Sequence, residues 1–84
     1  MPTRRDEDFA RGIAQVLREA RLARGWSLER LGQEAELHRT SIGLIETGKR
    51  RMTLEVAARL AWSLGLTMAE VVARVEADVL DADD

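Results

Sequence analysis

The sequence is poor in the residues that many kinds of site require. It contains no cysteine, which excludes disulfides and thiolate metal ligands, and its single histidine, His38, cannot form a zinc site alone. Proline occurs only at position 2, and three residues are aromatic. No apolar run approaches the roughly 20 residues of a membrane-spanning helix. We therefore expect no metal, no membrane association and a cytoplasmic protein, since residues 1–8 are charged and lack the apolar segment of a signal peptide.

Catalytic groups are scarce as well. The chain has no glycine-rich loop of the phosphate-binding kind, its one histidine lies in the segment 38–46, and Ser27 or Ser41 as a nucleophile would lack a base. We therefore expect neither an enzyme nor a bound cofactor.

The hydrophobic residues that are present favour helices. They make up 45% of the 84 residues and are mainly leucine, isoleucine, valine and alanine. Such a composition is typical of a compact helical bundle. The length fits one small domain, and no linker is visible. We predict a single all-α domain over residues 1–84, with residues 1–7 and 81–84 frayed.

Charge is unevenly distributed along the chain. The net charge is −2, yet residues 69–84 carry −5 (six acidic residues against Arg74), so residues 1–68 carry +3. The densest basic cluster is Lys49, Arg50 and Arg51. This asymmetry indicates an anion-binding body with an acidic end, although a solvated surface explains it equally well.

Apolar periodicity predicts five helices, at about residues 8–24, 28–35, 39–45, 54–64 and 68–79. Gly25, Gly48 and Gly65 follow three of these stretches, where a left-handed residue commonly ends a helix. Ser27 and Thr53 are predicted N-caps, and Thr67 with Glu70 has the form of a capping box. The predicted inward residues are Phe9, Ile13, Val16, Leu17, Ala20, Leu31, Ala35, Ile42, Ile45, Leu54, Ala57, Leu60, Ala61 and Leu64.

The second and third predicted helices are short and joined by a tight turn at Glu36 and Leu37. Two helices of this kind form a helix-turn-helix, whose second helix enters the major groove of DNA. The segment from Trp26 to Arg51 resembles the Cro/phage-repressor (XRE-type) helix-turn-helix family. The resemblance extends over about residues 13–75 and depends on the joint spacing of Leu31, Leu37, Ile42, Ile45, Glu46, Gly48 and the Leu-Gly-Leu at 64–66.

The resemblance implies a five-helix, sequence-specific DNA-binding transcription regulator. The run from Arg39 to Glu46, followed by Met52-Thr-Leu54, is similar to the controller proteins of restriction–modification systems, which are homodimers. The chain departs from the family pattern at four positions. Leu28 replaces a common glutamine, Glu36 a turn glycine, His38 a serine or threonine, and Met52 a proline.

By resemblance, the base-reading residues are His38, Arg39, Thr40 and Leu44. Arg39 is suited to bridging O6 and N7 of guanine, and Thr40 and Leu44 to contacting thymine methyl groups. The residues predicted to bind phosphate are Ser27, Ser41, Lys49, Arg50, Arg51 and Thr53. Glu46 is expected to pair with Arg39 or Arg50.

Trp62 lies off the inward stripe of the fourth helix, whereas Trp26 is expected in the core. Tryptophan is enriched at interface hot spots. Together with Met68, Val72, Val75 and Val79, Trp62 is predicted to form a homodimer surface. The alternative is that these residues cover the first helix within one copy.

Three functions therefore remain open. The leading one is a homodimeric transcription regulator on a pseudo-palindromic operator. The second is an antitoxin that binds its own promoter and a toxin partner. The third is a protein-interaction adaptor that has lost its DNA contacts, which Leu28, Gly43 and Leu44 would suit.

Overall fold

A computed structural model describes the backbone of residues 5–81 and the side chains of residues 5–78. This part of the chain forms five helices and no strand. The helices are α1 (Arg5–Ala23), α2 (Leu28–Ala35), α3 (Arg39–Glu46), α4 (Leu54–Ser63) and α5 (Met68–Asp81). The predicted all-α class is confirmed. The predictions for residues 1–4 and 82–84 lie outside the described residues.

The first helix begins earlier than the periodicity predicts. Residues 5–7, which we expected to fray, are helical, and Asp6, Glu7 and Asp8 occupy the first turn. Carboxylates at this position favour the helix because they face the positive end of its dipole. The charged start of the chain therefore extends α1 instead of ending it.

Side-chain caps define the other four helix starts, including that of α3 at His38. Ser27 and Thr53 accept hydrogen bonds from the amides of Arg30 and Val56 at 3.0 and 3.1 Å, as predicted. At α5, the Glu70 amide donates to Thr67 Oγ1, and the Thr67 amide donates to Glu70 Oε1, both at 3.1 Å. The backbone and side-chain hydrogen bonds from Thr67 lower the pKa of the Glu70 carboxyl group. The predicted capping box is therefore present.

The core is one aliphatic cluster to which every helix contributes. Its best-covered side chains are Leu31, Ile42, Leu60 and Val71, one each from α2, α3, α4 and α5. The other buried members include Ile13, Leu17, Ala35, Ala57, Ala61, Leu64 and Val75. Trp26 is half-buried and packs against this cluster, in agreement with the sequence.

Leu54 is a correction to the predicted core. It is 77% exposed, although its spacing placed it on the inward side of α4. Leu54 is the first residue of α4, and the neighbouring elements leave an open groove beside it, lined by Phe9, Met52, Met68 and Val72 among others.

The approach of α5 to α1 depends on a small residue. A Cβ atom built on Gly12 would lie 2.6 Å from Val75 Cγ1, closer than real atoms come. Val75 is buried in this contact. Because Gly12 has no side chain, α5 lies close against α1. The contact is made by Val75, one of the regularly spaced valines of α5 (Val71, Val72, Val75 and Val79, here called the valine stripe).

No single helix in the described part is long and apolar enough to cross a membrane. The helices α4 and α5 reach that length and composition only as a pair, and they are bent by 109° at the break between them. Among the same residues, no group of three or more histidine, aspartate or glutamate side chains is arranged to hold a metal ion.

Candidate nucleic-acid interface

A three-residue turn, Glu36 to His38, joins α2 to α3. Both Glu36 and Leu37 donate their backbone N–H to the carbonyl of Gly32, the latter at 2.9 Å. A Cβ atom on Gly32 would lie 2.5 Å from the Leu37 carbonyl oxygen. Gly32 therefore allows the turn to fold back onto α2, a requirement that the sequence analysis missed.

Glu36 itself adopts the left-handed conformation, with φ 57° and ψ 46°. The family's usual glycine would adopt it freely, whereas a side chain there costs about 1–2 kcal/mol. We expect Glu36→Gly to stabilise the fold by about 0.5–1 kcal/mol, because part of the gain is offset by the greater freedom of glycine in the unfolded chain. Urea unfolding measures this difference.

The matched control is Glu34→Gly, two residues earlier inside α2. Glycine in a helix interior costs about 1 kcal/mol, so this variant should be destabilised. Destabilisation of both variants to the same extent would show that the conformation at Glu36 carries no strain.

The second helix of the helix-turn-helix, α3, has two distinct faces. Ile42 and Ile45 are buried in the core, whereas Arg39 and Thr40 are exposed. Leu44 is half-buried, so it exposes less apolar surface than a thymine-contacting residue was expected to. The outward face at the start of α3 is therefore polar and carries the cation Arg39.

His38 closes the N-terminus of this helix. Its Nδ1 accepts a hydrogen bond from the Thr40 amide at 3.0 Å. A side chain that accepts through Nδ1 carries its proton on Nε2, which remains the atom able to donate to a base or phosphate. The replacement of the usual serine or threonine thus preserves a cap.

Leu28 and Arg39 connect the outward face of α3 to α2. Leu28 packs over Gly43, since its Cδ1 lies 3.5 Å from where a Cβ would stand. The Arg39 guanidinium lies 4.0 Å from the Glu29 carboxylate, and both side chains are mostly exposed. An exposed pair at this distance contributes little stability, so Arg39 is available to another partner.

The basic cluster 49–51 is tied to the end of α3. The amides of Lys49 and Arg50 donate to the Leu44 carbonyl at 2.9 and 3.2 Å. Arg50 Nη1 also donates to Ser41 Oγ at 3.1 Å. The structure therefore joins Arg50 to Ser41 in the first turn of α3, the turn that also carries Arg39 and Thr40.

The two phosphate sites predicted at helix starts, Ser27 and Thr53, are not part of α3. Ser27 and Thr53 cap α2 and α4, and each leaves first-turn amides without helical partners. Both side chains are exposed, as are Lys49 and Arg51. The described contacts join neither Ser27 nor Thr53 to α3.

Glu46 pairs with α1 and not with Arg39 or Arg50. Its carboxylate accepts from Arg21 Nε at 2.8 Å and from Arg21 Nη2 at 2.9 Å, and Arg18 Nε lies at 3.8 Å. Arg21 also donates to the Trp26 carbonyl at 2.7 Å. The bonds to Glu46 raise the pKa of the Arg21 guanidinium, despite its burial. The ion pair predicted for Glu46 is therefore present, but its predicted partner is wrong, because Glu46 pairs with Arg21 at the junction of α1 and α3.

This pair was the main functional feature that sequence reasoning missed. The predicted inward residues of α1 do not include Arg21, yet it is 8% exposed. Its four-residue spacing from Leu17, which itself follows Ile13 by four, would have indicated the inward face. The partner was not identifiable, because Glu46 lies 25 residues away.

The predicted dimer surface is divided by the structure. Trp62 is 67% exposed, and Met68 and Val72 are half-buried. Val75, in contrast, is 3% exposed within one copy. Its predicted place in an exposed dimer surface is therefore wrong. The side chain of Val79 lies outside the described residues.

Comparison with known proteins agrees with this geometry. The helix-turn-helix family model HTH_3 matches residues 17–71, which extend from α1 into α5. The crystal structure of ClgR, the clp gene regulator from Corynebacterium glutamicum, superposes with a TM-score of 0.77 at 21% sequence identity. The match covers 89% of this chain and 81% of that chain. No curated protein matches the sequence closely enough to count as a relative.

The family match covers well over half of the chain and includes the whole of α2, the turn and α3. The likeness to ClgR independently supports the fold. The chain belongs to the XRE-type helix-turn-helix family of DNA-binding transcription regulators.

Proposed function

We propose that this protein is a sequence-specific regulator that binds a pseudo-palindromic operator as a homodimer, with one α3 in the major groove of each half-site. The observation that carries this proposal is the polar outward face of α3. Arg39 and Thr40 are exposed and Arg50 is bonded to Ser41 of the same helix, while Ile42 and Ile45 are buried in the core. A helix held in this way presents side chains to base edges without unfolding.

The distribution of charge around α3 supports an anionic partner. Arg39, Lys49, Arg50 and Arg51 are exposed at or just after α3. The nearby carboxylate of Glu46 is 7% exposed and neutralised by Arg21. The acidic residues of α5 lie on a helix that packs mainly on α1 and α4. A net negative chain thus presents a basic surface to DNA.

We expect a homodimer because few side chains on one α3 can contact bases. His38, Arg39 and Thr40 are the three exposed side chains at the start of α3 that suit base contacts. One such helix discriminates few base pairs, and two copies on half-sites about one helical turn apart double that number. A regulator that finds one site in a genome therefore needs both copies.

The test is binding of the full chain to the DNA upstream of its own coding region. Fluorescence anisotropy should show tight binding to a fragment of this region and weak binding to a scrambled duplex. Affinity should fall steeply between low and high salt, because Lys and Arg side chains displace counterions from phosphates. Equal, weak binding to both duplexes would contradict sequence-specific regulation and favour the adaptor alternative.

Lys49→Ala separates affinity from specificity. We expect the variant to weaken binding to specific and scrambled duplexes alike and to reduce the slope of log affinity against log salt by about 1 per copy. The same titrations measure this. Loss of base preference without a change in slope would show that Lys49 reads bases instead of binding phosphate.

The regulated process is proposed from the narrower resemblance alone. The run Arg39–Glu46 with Met52 to Leu54 favours a restriction–modification controller, acting in the cytoplasm where its DNA lies. A neighbouring gene for a restriction enzyme would support this reading. A neighbouring toxin gene, with a stable complex of the two products, would favour the antitoxin.

A further inference from the structure

Exposed apolar side chains are concentrated on α4. Three large apolar side chains are exposed among the residues whose side chains are described, namely Leu22, Leu54 and Trp62. Two of these lie on α4, and they are its most exposed apolar side chains, at 77% and 67%. No folding requirement explains them, since the core is complete without either residue.

These two residues belong to one stripe along α4. Leu54, Ala58 and Trp62 are spaced by four residues, so each lies next to the following one on the helix surface, and the line through them winds around α4 by about 80°. Ala58, in the middle, is small and half-buried. The stripe is symmetric about Ala58, with one large apolar residue a turn before it and another a turn after it.

We propose that this stripe is the interface with a second copy of the chain, in which the two α4 helices pack antiparallel and cross at Ala58. This inference rests on the proposed function, which requires a homodimer, and assigns its interface to α4 instead of the valine stripe of α5. A two-fold axis through Ala58 places Leu54 of each copy against Trp62 of the other. The alanine at the centre permits close approach of the two helices.

The charges beside the stripe favour a second copy over other occupants. Glu55 and Arg59 flank it, 3.7 Å apart as an i,i+4 pair on an exposed surface. Reversing the direction of the partner helix places an acidic residue of each copy beside a basic residue of the other. A surface built for a strongly acidic or basic partner would carry charges of one sign.

In the proposed dimer, Trp62 of the second copy lies at the groove beside Leu54. Phe9, Met52, Met68 and Val72 form the apolar wall of this groove, which is open to solvent and is also lined by charged residues, Arg50 and Arg51 among them. In the antiparallel arrangement, Trp62 of the second copy stands opposite Leu54 and covers the mouth of the groove. Met68 and Val72, predicted from the sequence as interface residues, then contribute from its wall.

Disulfide trapping tests the crossing point, because the natural chain contains no cysteine. We expect Ala58→Cys to give a cross-linked dimer on mild oxidation. A mixture of Leu54→Cys and Trp62→Cys should give mainly the mixed disulfide. Preferential linkage of Trp62→Cys to itself, or no cross-link at Ala58→Cys, would overturn the antiparallel α4 pairing.

A solution measurement tests the interface in chains without cysteine. Sedimentation equilibrium should give a dimer for the natural chain. The double variant Leu54→Ser/Trp62→Ser should have a dimer dissociation constant at least tenfold higher than that of the natural chain. Its helical circular dichroism should be unchanged. Leu22→Ser, which changes the exposed leucine on α1, is the matched control and should remain dimeric. A natural chain that is monomeric throughout, or a double variant as dimeric as the control, would overturn the inference.

Failure of this inference is distinguishable from failure of the proposed function. A dimer that binds its operator but does not cross-link through Ala58→Cys would contradict only the α4 interface. A dimer cross-linked at this position that prefers no DNA sequence would contradict only the proposed function.

Discussion

Replacing Glu46 with glutamine is expected to remove about 3 kcal/mol from the free energy of unfolding, a large part of the stability of a domain this size. The substitution keeps the shape of the side chain but removes its charge. Arg21 is then left as a buried cation with its partner neutralised, and breaking a buried pair in this way costs about 3–5 kcal/mol. We take the lower end because a glutamine oxygen still accepts one hydrogen bond.

The geometry of the pair explains this large effect. Arg21 and Glu46 share two parallel hydrogen bonds, and their side chains are 10% and 7% exposed. A third bond joins Arg21 to the carbonyl of Trp26, which lies between α1 and α2. The Arg21 guanidinium on α1 therefore holds together the end of α3 and the chain just before α2. Thermal unfolding should show a fall of roughly 12–24 °C in Tm for a loss of this size.

Glu34→Gln is the matched control, because Glu34 pairs with Arg30 at 3.1 Å on an exposed surface. Its loss should stay below about 1 kcal/mol. In Arg21→Met/Glu46→Leu, the combined loss should be smaller than the sum of the two single losses, since no charge is left buried. Equal, small losses for Glu46→Gln and Glu34→Gln would contradict a buried pair at this junction.

The second large effect is expected at Arg39. Arg39→Ala should weaken binding to the operator by about 1–3 kcal/mol for each half-site and relax the preference at one base pair. A guanidinium reads guanine through two hydrogen bonds to O6 and N7, which no other base pair offers in that arrangement. The ion pair between Arg39 and Glu29 does not prevent Arg39 from contacting a base, because its distance is long and both side chains are exposed.

Two further variants separate reading from charge. Arg39→Lys keeps the charge but cannot form the two parallel bonds, so it should lose base preference while retaining non-specific affinity. Arg74→Ala, on α5, removes one exposed arginine away from α3 and should leave operator binding nearly unchanged. If Arg39→Ala weakens binding to operator and scrambled DNA by the same factor, Arg39 contacts only phosphate.

The helices were predictable because their determinants are local. The bounds of α2 agree with the sequence because Ser27 caps its start, and α3 begins at Arg39 as predicted because His38 caps it. Periodicity also identified Ile42 and Ile45 as the inward face of α3. The helix-turn-helix and the outward position of Arg39 follow from these local features.

The remaining features depend on which elements meet. The valine stripe of α5 suited either a second copy or α1, and Gly12 decided between them by letting Val75 approach α1. Arg50 was predicted as a phosphate contact, but its bond to Ser41 joins residues that are nine apart in sequence. Periodicity gives the direction of a side chain on its own helix, whereas its partner depends on how the helices pack.

Selection of bound sequences from a random pool of double-stranded DNA tests the central claim most directly. The natural chain should enrich a pseudo-palindrome whose two half-sites are centred about one helical turn apart, roughly 10 base pairs. Arg39→Ala should lose the preference at one symmetric pair of positions in that site. Enrichment of no sequence, or of a single asymmetric site unchanged by Arg39→Ala, would contradict a homodimer that reads DNA through α3.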